Sequence, residues 1–294
     1  MNNKRRLFST LLCVAALTAG LFVSGCGSDK AGGIGSVVSS VVDGGSDEKA
    51  AAKLNTLIDA TNRFNGDNAT WGQNYADSLA KLKGGFQEGA IGRQPHYDTL
   101  KEALEQSKKE GSTFKEVDTE RDNVLNVLNE LVPTFKDLKA YDDSKAYMND
   151  GGAKGKELAA KYVAQVEKFD AAYAKFNDAL NKANTEQTKK QIEKLKKDGK
   201  KGYAAAMEST LRLTTLVENV EKAPKNADKQ AVEKELNEIQ TLLKSINNDR
   251  GEVLVNSYNS VVGSVRQVLT DANENNLNDM IENFNNYIES YNNT

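Results

Sequence analysis

The chain has 294 residues, 28% of them charged and 38% hydrophobic, with a formal net charge of −3 and a mean hydropathy of −0.61. The apolar share supports a packed core and excludes wholesale disorder, and 3 prolines are too few for the many turns of a β-sandwich or barrel. Cys13, Cys26 and His96 are the complete set of cysteines and histidines, so helix is the expected fold class and the means for metal or nucleophile chemistry are sparse.

Lys4, Arg5 and Arg6 form a positive start, followed by the apolar run LFSTLLCVAALTAGLFV. The run is short for a permanent membrane span and ends in small residues, the pattern of a cleaved export signal. It closes on Val23-Ser24-Gly25-Cys26, which resembles the bacterial lipoprotein lipobox. That resemblance implies diacylglyceryl transfer to the Cys26 sulfur, cleavage after Gly25 and acylation of the new amino group. Durable anchoring follows, because two or three acyl chains hold where one does not. The mature protein then keeps no thiol for a disulfide, and the basic count falls from 39 to 36 against 42 acids, a net charge near −6. Such a balance gives no support to nucleic-acid binding. The expected location is a bacterial membrane, facing the periplasm or the cell exterior. Gly27 and Ser28, in place of the Asp that retains lipoproteins at the inner membrane of enteric bacteria, permit the outer membrane where a cell has two.

Residues 26–48 comprise the lipidated cysteine and a Gly/Ser-rich tether, which as a flexible coil spans on the order of 25 Å. Ile34, Val37, Val38, Val41 and Val42 fall on one helical face. They suit a short interfacial helix or a valine-rich linker, since valine and glycine are poor helix formers.

From about Glu48 the pattern is helical. Leu54, Leu57, Ile58 and Phe64 predict a first helix reaching Asn65, Gly66-Asp67-Asn68 interrupts it, and Trp71, Tyr75, Leu79 and Leu82 predict a second. Residues 84–96, with four glycines and a proline, predict a loop. Tyr97, Leu100 and Leu104 predict a helix ending near Gly111. Val117, Val124, Leu131 and Leu138 repeat every seven residues, a bundle-type seam, with Pro133 inside it as a kink or boundary. Leu158, Tyr162, Val166, Phe169, Tyr173, Phe176 and Leu180 mark the clearest helix. Ile192 and Leu195 are read as opening another, continued by Tyr203 to Val220 and closed by Pro224, with a break or hinge at Gly199 and Gly202. Leu236 to Ile246, Leu254 to Leu269, and Leu277, Ile281, Phe284, Ile288 and Tyr291 predict the last three. No stretch alternates with period two for long enough to make a strand. The expectation is an all-α, elongated bundle of amphipathic helices over 49–292.

The segment Tyr141 to Phe176 resembles the YiiG-like family of bacterial lipoproteins. The resemblance rests on Tyr141, Lys145, Tyr147, Asp150 and Ala153-Lys154-Gly155-Lys156-Glu157-Leu158, on Lys53-Leu54-Asn55 with Asn62, and on Trp71. The chain departs from that pattern at Ala146, where Asp is common, and at Ala159, where His is common. The resemblance covers most of residues 50–290 and implies an all-helical domain; it implies no activity, the family being itself a domain of unknown function.

Enzyme chemistry finds little material. A Ser-His-Asp or Cys-His arrangement needs a histidine, and His96 sits on the Gly/Pro-rich loop. Zinc and related metals need several His or Cys ligands, and no Walker or dinucleotide motif occurs. Neither an enzyme nor a resident cofactor or metal is expected. Asp142, Asp143 and Asp150 suit cation binding or carboxylate chemistry on a glycan, and equally a solvated surface. Tyr141, Lys145, Tyr147, Lys154 and Lys156 are the candidate ligand-binding residues: lysines and tyrosines around a Gly-Gly-led helix start suit a small anion. The same residues suit a purely architectural junction in which Asp150-Gly151-Gly152 caps a helix, Gly155 permits close packing and the tyrosines enter the core. Residues 189–201, KKQIEKLKKDGKK, hold seven lysines against Glu193 and Asp198, suited to anionic headgroups or wall polymer and equally to a solvated helix face. The leading functional expectation is a non-enzymatic, lipid-anchored envelope protein whose helical body binds a partner protein or a cell-wall polymer. The alternative is a small anionic-ligand binding protein with a cleft near Tyr141–Leu158.

Overall fold

The computed structural model describes residues 46–69, 72–92, 94–111, 114–246 and 249–293. Among them every regular element is an α-helix: α1 (Ser46–Ala69), α2 (Gly72–Lys83), α3 (Tyr97–Lys109), α4 (Lys115–Asp143), the single turn α5 (Tyr147–Asp150), α6 (Ala153–Lys197), α7 (Lys201–Lys222), α8 (Lys229–Lys244), α9 (Asp249–Thr270) and α10 (Glu274–Asn293). The all-α expectation holds. The export signal, Cys26, the valine stripe and Trp71 lie outside the described residues. Packing divides the described residues into two compact units, 56–183 in the first and 46–55 with 184–293 in the second. Helices α1 and α6 each contribute to both.

In the first unit the seven-residue seam of α4 is buried throughout, Val117, Val124, Leu131 and Leu138 with Leu128 beside them. Burying each such side chain is worth ~1.5–3 kcal/mol. That explains why α4 runs through Pro133 instead of ending there. A proline inside a helix costs about 3 kcal/mol, but Leu131, Val132, Thr134 and Leu138 on either side are all buried, and ending the helix would expose them. Helix α1 likewise passes the expected break at Gly66 and continues to Ala69. Just before the glycine, Asn65 Oδ1 accepts from the Tyr173 hydroxyl at 2.9 Å and Phe64 packs edge-on to Phe169 and Tyr173. A glycine costs a helix only ~0.5–1 kcal/mol, too little to end one so held. The described residues of 84–96 form the expected loop, pinned to α2 by Ser78, whose hydroxyl donates to the Ala90 carbonyl and accepts from the Gly92 N–H.

The expected boundary before Ile192 is absent. Ile192 and Leu195 are buried and continue the apolar stripe of α6, a single helix of 45 residues. It stops where Gly199 adopts a left-handed φ of 74°. There the Gly199 N–H donates to the Lys196 carbonyl and the Lys200 N–H reaches back to Leu195, the paired bonds of a Schellman stop.

In the second unit α7 packs against α8, α9 and α10, and it is buried on most of its circumference: Ala204 to Met207, Ser209 to Leu211, Leu213, Thr214, Leu216, Val217 and Val220. Its buried hydroxyls are satisfied locally, Ser209, Thr210 and Thr214 each donating to the carbonyl four residues earlier at 2.7–2.9 Å. Thr210 also meets the Tyr287 hydroxyl at 2.9 Å, and the Tyr258 hydroxyl donates to the Leu236 carbonyl at 2.5 Å. Asp228 caps α8 by accepting from the Gln230 and Ala231 N–H groups. On α10 the expected seam is turned: the buried face is Met280, Phe284, Tyr287 and Tyr291, while Leu277, Ile281 and Ile288 are half-buried. Tyr287 joins Tyr291 on that face with Thr210 of α7 as a hydroxyl partner, which an aliphatic spacing does not reveal.

Candidate functional site

The five candidate ligand-binding residues cluster at the connection from α4 to α6. Helix α4 is stopped just past its end by Lys145, the one non-glycine with a left-handed φ (54°) among the described residues. The Lys145 N–H donates to the Asp142 carbonyl and the Ala146 N–H to Tyr141, so Lys145 occupies the stop position that glycine usually fills. The turn α5 follows, closed by Gly151 and Gly152 at φ 65° and 84°. Asp150 then organises the start of α6. Its Oδ1 accepts from the Tyr141 hydroxyl at 2.5 Å and the Gly152 N–H at 2.9 Å, and its Oδ2 accepts from the Lys154 N–H at 3.2 Å. The phenol therefore titrates above its ordinary range, through burial and then the carboxylate beside it. The Asp150 carboxyl is held low, chiefly by the Tyr141 hydroxyl.

Beneath this turn the rings of Phe86, Tyr141 and Tyr147 pack together, Phe86 T-shaped to Tyr141 with centroids 5.2 Å apart. Gly155 makes the packing feasible: a Cβ there would lie 2.6 Å from both Phe86 Cγ and Tyr141 Cε1. The Tyr147 phenol is pushed up to about 12 by its interaction with the Glu88 carboxylate, with burial second. Lys145, Lys154 and Lys156 are exposed, whereas Tyr141 is buried and Tyr147 half-buried. The structure thus brings the five residues together as a helix–turn–helix junction. The carboxylate of Asp150 holds the place at the α6 N-terminus that an external anion would take. Of the neighbouring acids, Asp143 pairs with Lys139 at 2.7 Å.

A second polar cluster, which sequence reasoning missed, lies within the first unit. The hydroxyls of Tyr75 and Tyr97 meet at 2.9 Å, and the Tyr162 hydroxyl donates to Gln94 Oε1. All three phenols are raised well above the ordinary range, burial being the largest cause and the charge of Asp170 a lesser one. Asp170 is pushed up to about 7 by burial and then by Glu167, with Lys83 opposing. Lys83 pairs with Glu167 at 2.9 Å. Phe64, Tyr97, Phe169 and Tyr173 form the aromatic wall alongside. These residues come from α1, α2, α3, α6 and the loop, too far apart in sequence for spacing to connect them. His96 is exposed and immediately precedes α3. Among the described residues no group of three or more His, Cys, Asp or Glu side chains could hold a metal ion, and no helix is long and apolar enough to cross a membrane.

The lysine run occupies the last turns of α6, the Gly199 stop and the first residue of α7. Lys196 pairs with Glu208 at 2.9 Å and with Glu193 at 3.6 Å. Lys189, Lys190, Lys197 and Lys201 are exposed and Lys200 half-buried.

The family described as "Protein of unknown function (DUF3829)" matches residues 48–292. The chain belongs to that family. No curated protein and no solved structure matches it. The DUF3829 match takes in the ten helices of the described residues apart from the outermost residues of α1 and α10. The α4–α6 junction, the tyrosine cluster and the lysine turn are therefore all parts of the DUF3829 domain.

Proposed function

We propose that this DUF3829 protein is a YiiG-like lipoprotein of the bacterial envelope. It is exported, acylated at Cys26, and free of enzymatic activity; its helical body engages a protein partner or a cell-wall polymer. The observation that carries the reading is the order Lys4-Arg5-Arg6, apolar run and Val23-Ser24-Gly25-Cys26, set just before a helical domain that starts at about residue 48. Acylation of Cys26 would hold that domain at a surface, which suits a binding role. The alternative, a small anionic ligand held near Tyr141–Leu158, has less support, because the Asp150 carboxylate and the Tyr141 hydroxyl already serve the junction there.

The test is metabolic labelling with an alkyne fatty acid, followed by crosslinking and mass spectrometry from intact cells. Label on the wild type and none on Cys26→Ser, with one dominant crosslinked partner lost in the variant, is the expected result. Label that persists in Cys26→Ser overturns the anchor. Label without any enriched protein removes the protein-partner version and leaves the wall polymer.

A further inference from the structure

The lysine turn between α6 and α7 is the strongest concentration of one charge in the chain. Residues 189–201 hold seven lysines against Glu193 and Asp198 in a protein whose net charge is −3. Ion pairing does not use this charge up. Lys196 is engaged by Glu193 and Glu208, but Lys189, Lys190, Lys197, Lys200 and Lys201 make no ion pair with any described residue.

The arrangement is directional. Thr188, Ile192 and Leu195 are buried and fix which side of α6 faces the core. Lys190, Lys194 and Lys197 follow at spacings of four and three residues, on the opposite side. The Schellman stop at Gly199 then turns the chain, and Lys200, half-buried, and Lys201, exposed, follow it at the start of α7. Favourable contact with the α6 dipole accounts for lysines in the last turn; it does not account for Lys189 and Lys190 before it or Lys200 and Lys201 after it.

The position relative to the start of the helical body is informative. Phe64 and Asn65 of α1 stand against Phe169 and Tyr173 of α6, whereas the part of α1 before Thr56 groups with the chain from Asn184 onward. The start of α1 and the lysine run thus belong to the same unit. Cys26 precedes Ser46 by 20 positions, a contour of at most ~70 Å.

We propose that the exposed stripe Lys190, Lys197 and Lys201, with Lys189 and Lys200 at its edge, is a docking face for the anionic phospholipid headgroups of the membrane. The choice of a bilayer over other polyanions rests on the Cys26 anchor proposed above, which keeps the second unit, to which the start of α1 belongs, beside such a surface. Acyl chains supply attachment and the lysines supply orientation, each phosphate–ammonium contact being weak alone and additive along the stripe.

The test uses the chain from residue 26 onward with Cys26→Ser, so that no acyl chain contributes. Its binding is measured to vesicles of phosphatidylcholine alone and of phosphatidylcholine mixed with phosphatidylglycerol. Binding to the anionic vesicles only, weakened by added salt, is expected. The triple variant Lys190→Gln/Lys197→Gln/Lys201→Gln should bind on the order of 100-fold more weakly. A matched control, Lys161→Gln/Lys168→Gln/Lys175→Gln, changes net charge equally at exposed lysines in the first-unit part of α6 and should leave binding within about twofold of wild type. Three results overturn the inference: no binding to anionic vesicles, equal weakening by the two triple variants, or capture by soluble lipoteichoic acid with none by vesicles, the last reassigning the stripe to wall polymer. None of these touches acylation of Cys26, which the labelling experiment decides separately.

Discussion

Replacing Gly155 with alanine isolates the reason for a glycine in the first turn of α6. The new Cβ would sit 2.6 Å from Phe86 Cγ and Tyr141 Cε1, and 2.7 Å from Phe86 Cδ1, about 1 Å inside ordinary contact. Tyr141 cannot withdraw freely, because its hydroxyl is tied to Asp150, so Phe86 must move or the start of α6 must lift. Overpacking of this kind costs ~1–3 kcal/mol, and alanine's better helix propensity returns ~0.5–1 kcal/mol. The expected net loss is about 1 kcal/mol, within a range of ~0–2.5 kcal/mol, read as a lower urea midpoint by far-ultraviolet circular dichroism. Gly263→Ala in α9 is the comparison. That site is exposed and nothing lies within 4 Å of its added Cβ, so the substitution should stabilise by up to ~1 kcal/mol. If ring crowding is the cause, Phe86→Ala in the same chain should remove part of the Gly155→Ala penalty, the contact with Tyr141 Cε1 remaining. A Gly155→Ala protein as stable as Gly263→Ala, or a penalty unchanged by Phe86→Ala, would refute the packing argument.

Two further outcomes follow from burial. Asp170 titrates at about 7 in the folded protein and near 3.9 in an unfolded chain. The folded state therefore holds the proton more tightly, and the associated stability is present below about pH 4 and lost as pH rises through 7. Asp170→Asn should flatten the fall in melting temperature between those values, and parallel wild-type and variant curves would contradict this. Leu131→Ala, at a fully buried seam position of α4, should cost ~2–5 kcal/mol by urea midpoint. Leu158→Ala, half-buried on α6, should cost clearly less, and equal losses would show that the seam is not where α4 is anchored.

What could be read in advance was set by periodicity. Tyr162, Val166, Phe169, Tyr173, Phe176 and Leu180 all went to the core because a helix repeats its inward face regardless of partner. Element ends were less legible. Gly66 and Pro133 are breakers by local preference, yet tertiary contacts to Tyr173 and around Leu131 outweigh them, and Lys145 ends α4 with no glycine to announce it. At the junction, the capping role of Asp150 and the packing role of Gly155 were visible as one of two readings. The partners Phe86 and Glu88 were not, since they arrive from a glycine-rich loop without periodic signal. The tyrosine cluster with Asp170 stayed hidden for the same reason: Tyr75, Gln94, Tyr97 and Tyr162 meet only through the fold.

Tyrosine placement has a consequence for how this protein meets alkali. Of its 10 tyrosines, Tyr75, Tyr97, Tyr141, Tyr147, Tyr162, Tyr173, Tyr258, Tyr287 and Tyr291 all hold their phenolic protons more tightly than free phenol does. The unfolded chain releases those protons near pH 10 while the folded chain resists, so base pulls steadily toward unfolding. Ionisation and collapse of the fold then arrive together, and the near-ultraviolet absorbance of tyrosinate becomes an intrinsic indicator, carried in both units, of whether the helices still stand.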